Sequence, residues 1–221
     1  MTLFIKILII THVTAGCSAL ITGAIAMMLK SQTPKHRIAG KFYFWSMTYI
    51  FISGMYLAVH RNSLFFIFIS FFVYHMLISA YRALKLKELH KSQKPERLDW
   101  AIEIVAGVAN FCFIIFGAYW YMKGHGTDSA IPVVFGLIGS RRVYVNVQRL
   151  RIKPVDPTHW LQTHIQGMIG SYIGAITAFL VNQSSHIPIP QVILWLAPAA
   201  ILSPFITFEI RKIKMKKIGA V

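Results

Sequence analysis

The sequence predicts an all-α integral membrane bundle, one domain of seven transmembrane helices, with the N-terminus outside and the C-terminus in the cytoplasm. Three observations carry this. Only 14% of the 221 residues are charged and 56% are hydrophobic, whereas a soluble domain carries about a quarter charged residues. Charges are missing from long stretches and crowd into short connectors. Lys and Arg fall almost entirely on alternate connectors.

Seven apolar segments follow one another: Ile7–Leu29, Ile38–Val59, Leu64–Leu84, Trp100–Tyr121, Ala130–Val147, Trp160–Val181 and Val192–Ile210. A span needs about 20 apolar residues to cross ~30 Å of hydrocarbon. Backbone groups find no water there, so the segments must be helices. The alternating ten-residue pattern of a membrane barrel is absent from the sequence. Thr14-Ala15-Gly16-Cys17 resembles a lipoprotein cleavage box, but the apolar run continues to Leu29, which favours an uncleaved first span. Cys17 and Cys112 each sit in an apolar run and read as small packing residues.

Orientation follows from the bases. The N-out arrangement puts twenty Lys and Arg residues on the cytoplasmic side and leaves Lys6, Arg61 and Lys123 outside. Such a split is the positive-inside signal. It also accounts for the net charge of +16 without a nucleic-acid partner. The implied partners are the bilayer and, on the cytoplasmic side, anionic lipid headgroups. Trp45, Trp100, Trp160 and Trp120 fall near span ends, where indole rings favour the interface. The fifth segment is the weakest, because Arg141 and Arg142 follow soon after Ser140. A full span puts them about 12 Å inside the cytoplasmic boundary; a short or re-entrant segment leaves them at the surface.

Polar residues form stripes. Ser46, Tyr49, Ser53, Tyr56 and His60 alternate at spacings of three and four and share one face of the second helix. That face reads either as interhelical hydrogen-bond glue or as the wall of a polar cavity. The first helix aligns His12, Gly16, Ala19 and Gly23, and the sixth Gly170, Gly174 and Ala178, with His164 and Ser171 on its other face. Small residues in this pattern permit close helix approach. The fourth helix aligns Asp99, Glu103, Gly107 and Asn110. An acid within the hydrocarbon must be paired or protonated, and Arg141, at compatible depth, is the favoured partner of Glu103. Glu103, Asn110, Arg141, Arg142 and His164 form the expected intramembrane polar cluster.

Nine histidines raise the question of ligation. His36, His90, His125 and His186 lie in or beside connectors. His12, His60 and His75 occupy the outer half of the bundle and are the candidate cofactor ligands, with b-type haem the candidate cofactor, although their depths differ by ~8–9 Å. Asp156, His159 and His164 are weak metal candidates, since two histidines five apart do not share a helix face. Asp156 has an alternative role as helix N-cap.

The first two helices contain Thr11-His12-Val13-x-Ala15-Gly16-x-x-Ala19-Leu20-x-x-Gly23, then His36-Arg37-x-x-Gly40-Lys41-x-Tyr43 and Ser53-Gly54; the third ends near Tyr81-Arg82-Ala83. This resembles a widespread bacterial family of multipass membrane proteins known only as a domain of unknown function, over roughly residues 8–90. The histidine-bearing bundle is also loosely similar to cytochrome b561-type haem proteins. The resemblance implies the bacterial cytoplasmic (inner) membrane and brings no reaction. The resulting expectation is a ligand- or cofactor-binding membrane protein with a histidine-bearing cavity. The alternatives are a small-molecule or proton-coupled transporter and a metal-dependent membrane hydrolase.

Overall fold

A computed structural model describes residues 2–29 and 33–218, with side chains up to residue 215. Lys30 and the side chains of Lys216 and Lys217, all assigned to the cytoplasmic side, lie outside the described residues. The chain forms seven long helices: α1 (Leu3–Met28), α2 (Pro34–His60), α3 (Leu64–Ala83), α4 (Arg97–Met122), α5 (Ala130–Arg151), α6 (His159–Asn182) and α7 (Gln191–Ile218). Two short 3₁₀ turns precede α5 and α7, and no strand occurs among the described residues.

Six of these helices are long and apolar enough to cross a membrane. The exception is α5, whose length of 22 residues gives about 33 Å, but which carries Arg141, Arg142, Arg149 and Arg151. The bundle is inside-out in polarity. On α4, Asp99 and Glu103 are each 4% exposed, while Ile104 and Phe111 are 64% and 63% exposed. An apolar outer surface around a polar interior is what a lipid solvent selects.

Local chemistry sets the helix ends. Pro34 occupies the first turn of α2, and Thr33 Oγ1 accepts from His36 N–H at 3.2 Å. The α4 start is a capping box in which Asp99 Oδ2 accepts from Glu96 N–H at 2.8 Å. At α6, Asp156 Oδ1 accepts from the backbone N–H and hydroxyl of Thr158, and Asp156 Oδ2 accepts from Gln162 Nε2.

The centre of the bundle is the α3–α6 pair, flanked by the hairpins α1–α2 and α4–α5, with α7 against α6. Gly167 makes the central pair close: a β-carbon there would lie 2.5 Å from the Met76 carbonyl oxygen and 2.6 Å from Ala80 Cβ. Gly170 and Gly174 meet Met76 and Val73 in the same way. Gly23 of α1 is similarly filled by Tyr172 and Tyr43, whereas a β-carbon on Gly16 would meet nothing within 4 Å. Gly16 therefore opens space instead of closing a contact. One apolar core joins α1, α2 and α3 through Ala19, Tyr43, Met47 and Leu77. A second, at the opposite end, stacks Phe65, Phe113, Ile131 and Trp195.

Candidate functional site

Two features stand out inside the bundle: a buried polar network on α3, α4 and α5, and a large cavity on the other side of α3. The network begins where α3 ends and α4 starts. Arg82 donates from Nε to Asp99 Oδ1 at 2.7 Å and from Nη2 to Asp99 Oδ2 at 3.1 Å. Glu96, mostly exposed, adds a third contact at 3.0 Å. One turn further along α4, Glu103 Oε2 lies 2.9 Å from His75 Nε2, and Glu103 Oε1 accepts from Asn146 Nδ2 at 2.9 Å. With Glu103 ionised, His75 Nε2–H donates and Nδ1 is left as an acceptor, buried and without a hydrogen-bond partner among the described residues. Arg149 of α5 lines the same small hollow as Ser79, Arg82, Asp99 and Glu103.

This arrangement corrects the expected Glu103–Arg141 pair. Arg141 is exposed and Glu103 takes His75 and Asn146 instead. The physical reason is helical phase: Asn146 is the α5 residue that meets Glu103, and Arg141, five residues before it, lies about 140° around the axis. The expected five-residue cluster is accordingly dispersed. Asn110 is buried, donates to the Ala106 carbonyl at 2.7 Å and packs against Gly139 of α5. His164 Nδ1 lies 3.2 Å from the Ala80 carbonyl of α3. Arg142 crosses to α6, donating from Nη1 to Gln166 Oε1 at 2.6 Å and from Nη2 to the Thr163 carbonyl at 3.2 Å. Asn146, Thr163 and Gln166 carry no expectation from the sequence, and Arg149 counts there only among the cytoplasmic bases. Asn146 lies four residues after Arg142, on a shared face, which is the only signal that could have found it.

The cavity has a volume of about 970 Å³ and is lined from α1, α2, α3, α5, α6 and α7. Ligand sites typically occupy roughly 300–1,000 Å³. Its walls are mostly apolar, among them Phe72, Val73, Ile173 and Trp195, with His12, Ser70, Gln166 and Thr177 as scattered polar groups. Its charged lining is cationic: Arg61, Arg141 and Arg142, with no Asp or Glu among the described lining residues. It exists because α5 packs along α4 and leaves α6 and α7 a crevice on its other side.

The polar face of α2 packs on α1. Ser46 Oγ lies 3.1 Å from Ser18 Oγ, Tyr49 OH 2.7 Å from Thr11 Oγ1, and Ser53 Oγ 2.8 Å from His12 Nδ1. Tyr56 stacks on His60 and meets Phe4 edge-on. These contacts fit interhelical glue better than a substrate path.

The three candidate cofactor histidines have different surroundings. His12 lines the cavity, His60 is exposed beside Tyr56, and His75 is buried against Glu103. Each meets a different neighbour, Ser53, Tyr56 and Glu103 respectively, so the residues present do not fit a bis-histidine haem. The weak metal set fares no better. Asp156 spends its oxygens on the α6 N-terminus, His164 faces Ala80, and His159 lies beside His90 with ring centres 5.9 Å apart. No group of three or more His, Cys, Asp or Glu side chains is placed to hold a metal ion among the described residues.

No curated protein and no solved structure matches the chain. A family model described as "Predicted membrane protein (DUF2306)" matches residues 9–147. That stretch runs from α1 to near the end of α5 and holds the whole of the Arg82–Asp99 and His75–Glu103–Asn146 network. Because the match covers well over half of the chain, the protein belongs to the DUF2306 family of predicted membrane proteins.

Proposed function

We propose that this is a multipass protein of the bacterial cytoplasmic membrane, N-terminus outside, that binds a hydrophobic small molecule in the cavity beside α3. The observation that carries the binding reading is the cavity itself: about 970 Å³, mostly apolar, and walled by six helices. A partly open crevice of that size falls within the range of ligand sites. The concentration of bases on alternate connectors supports the orientation.

Native mass spectrometry of protein released gently from membranes tests the binding. The wild type retains a lipid-like mass, and Gly16→Phe/Ala199→Phe, which fills the cavity from α1 and α7, loses it. Retention of the same mass by the filled variant would sink the reading. Fusions of a reporter active only outside the membrane test placement. Joined after Gly124 it is active, and joined after Lys153 it is silent, because α5 crosses despite its arginines. Equal activity at both positions contradicts a crossing.

One observation favours a second reading, a proton-coupled carrier. The His75–Glu103 pair is a buried acid–imidazole couple, and intramembrane ionisable groups of this kind serve in proton relays. Ligand addition to weakly buffered proteoliposomes would then change the external pH for the wild type and not for Glu103→Gln.

A further inference from the structure

The cavity wall holds a cation with no carboxylate in contact among the described residues. Arg142 is half-buried, and its neighbours are a neutral amide and a backbone carbonyl. Its Nε is buried and has no hydrogen-bond partner among the described residues. No carboxylate lies within ion-pair distance of it there, since the ion pairs found are His75–Glu103, Arg82 with Glu96 and Asp99, and Lys91–Glu88. Glu103 acts on Arg142 only through space, because both its oxygens are engaged by Asn146 and His75.

A guanidinium in this position requires explanation. Charge removed from water is costly unless compensated by an opposite charge. Arg142 lies nine residues before the end of α5, about 13 Å along the helix from its basic end. The other bases lining the cavity, Arg61 and Arg141, add positive charge, and no acid opposes them among the described lining residues. Beside Arg142 the crevice is walled by Ile173 of α6 and Ala199 and Ile206 of α7. A cationic group thus stands in the wall of a mostly apolar crevice.

We infer that the crevice between α5 and the α6–α7 pair binds an anionic amphiphile, its carboxylate or phosphate head on Arg142 and its hydrocarbon tail along Ile173, Ala199 and Ile206. The inference rests on the cavity-binding reading and specifies the class of ligand. The planar guanidinium suits such a head, because its N–H groups match a carboxylate or phosphate in a two-pronged contact. Nη1 and Nη2 already reach toward α6, so the head joins a group held in place rather than ordering a free side chain.

The test compares ligands of equal chain length on the purified protein in nanodiscs made of phosphatidylcholine. Palmitate and hexadecanol compete against a fluorescent fatty acid, and phosphatidylglycerol is titrated in a separate arm. The wild type prefers palmitate to hexadecanol by about tenfold to a hundredfold, the worth of a charge-assisted hydrogen bond or two. Arg142→Gln abolishes the preference and leaves hexadecanol binding unchanged, and Arg142→Lys restores part of it. The wild-type comparison needs no variant, so a misfolded Arg142→Gln does not leave the question open. Displacement by phosphatidylglycerol identifies the head as a lipid phosphate, and displacement by palmitate alone identifies a free acid; either result supports the inference. Equal affinity for palmitate and hexadecanol overturns it while leaving the cavity reading intact. A palmitate preference that survives Arg142→Gln also overturns it. Failure of every amphiphile to bind removes both readings together.

Discussion

Glu103 gives the sharpest test of what the buried network does. Its two oxygens hold two donors, His75 Nε2–H and Asn146 Nδ2–H, each at 2.9 Å, on side chains 4% and 1% exposed. Glu103→Ala removes the acceptor from both. Each orphaned buried donor costs about 1–3 kcal/mol, so the change costs about 2–6 kcal/mol. For a chain of this length, a loss of 1 kcal/mol lowers Tm by about 2–4 °C, and Glu103→Ala therefore lowers it by at least about 4 °C. Glu103→Gln accepts from one donor only and falls between the two, at about 1–3 kcal/mol. Replacing the whole set, as Glu103→Leu/His75→Phe/Asn146→Leu, leaves nothing unpaired and recovers most of the loss, because apolar replacement of a complete buried polar set is nearly neutral. None of the three residues lines the cavity, so the triple variant keeps its amphiphile affinity. The assay is thermal unfolding in detergent followed by tryptophan fluorescence. The reasoning fails if Glu103→Ala melts within about 1 °C of the wild type, or if the triple variant is no more stable than Glu103→Ala.

Other perturbations follow from the same geometry. Asp99→Ala strips Arg82 of both its short bonds and costs about 3–5 kcal/mol, whereas Glu96→Ala, which removes a partner 65% exposed, costs under about 1 kcal/mol; a melt of each variant compares them. Gly167→Ala drives a methyl into Met76 and Ala80 and costs about 1–3 kcal/mol, while Gly16→Ala, facing open space, stays within about 0.5 kcal/mol of the wild type. Asp156→Ala removes the acceptor at the α6 start and costs about 1 kcal/mol, with no change in metal content by elemental analysis.

Six of the seven helices were legible because lipid imposes a length and a composition on whatever crosses it, and α5, with its four arginines, is the one that composition marks least. The ends were less so: α1 begins at Leu3 and α4 at Arg97, each a few residues before its apolar run. Hydropathy marks where hydrocarbon lies, while backbone hydrogen bonds continue into the interface until a cap such as the Glu96–Asp99 box stops them. The polar face of α2 was legible from its spacing alone, but its partner was not, because periodicity describes one helix and partner choice belongs to two. Glu103 shows the same limit from the other side. Its need for a partner was plain, and depth alone nominated Arg141, yet His75 and Arg82 on α3 already mirrored Glu103 and Asp99 across the α3–α4 connection. Residues at similar distances from the two ends of a hairpin are expected to meet, and that signal outranks charge complementarity between more distant segments. The cavity left no trace in the sequence, since it arises from contacts that α5 does not make. Arg142 is where these threads join. The arginines that most weaken α5 as an apolar span include Arg142, a half-buried cation of the crevice with no carboxylate in contact among the described residues, and an ionisable residue inside a membrane calls for a partner that answers its charge.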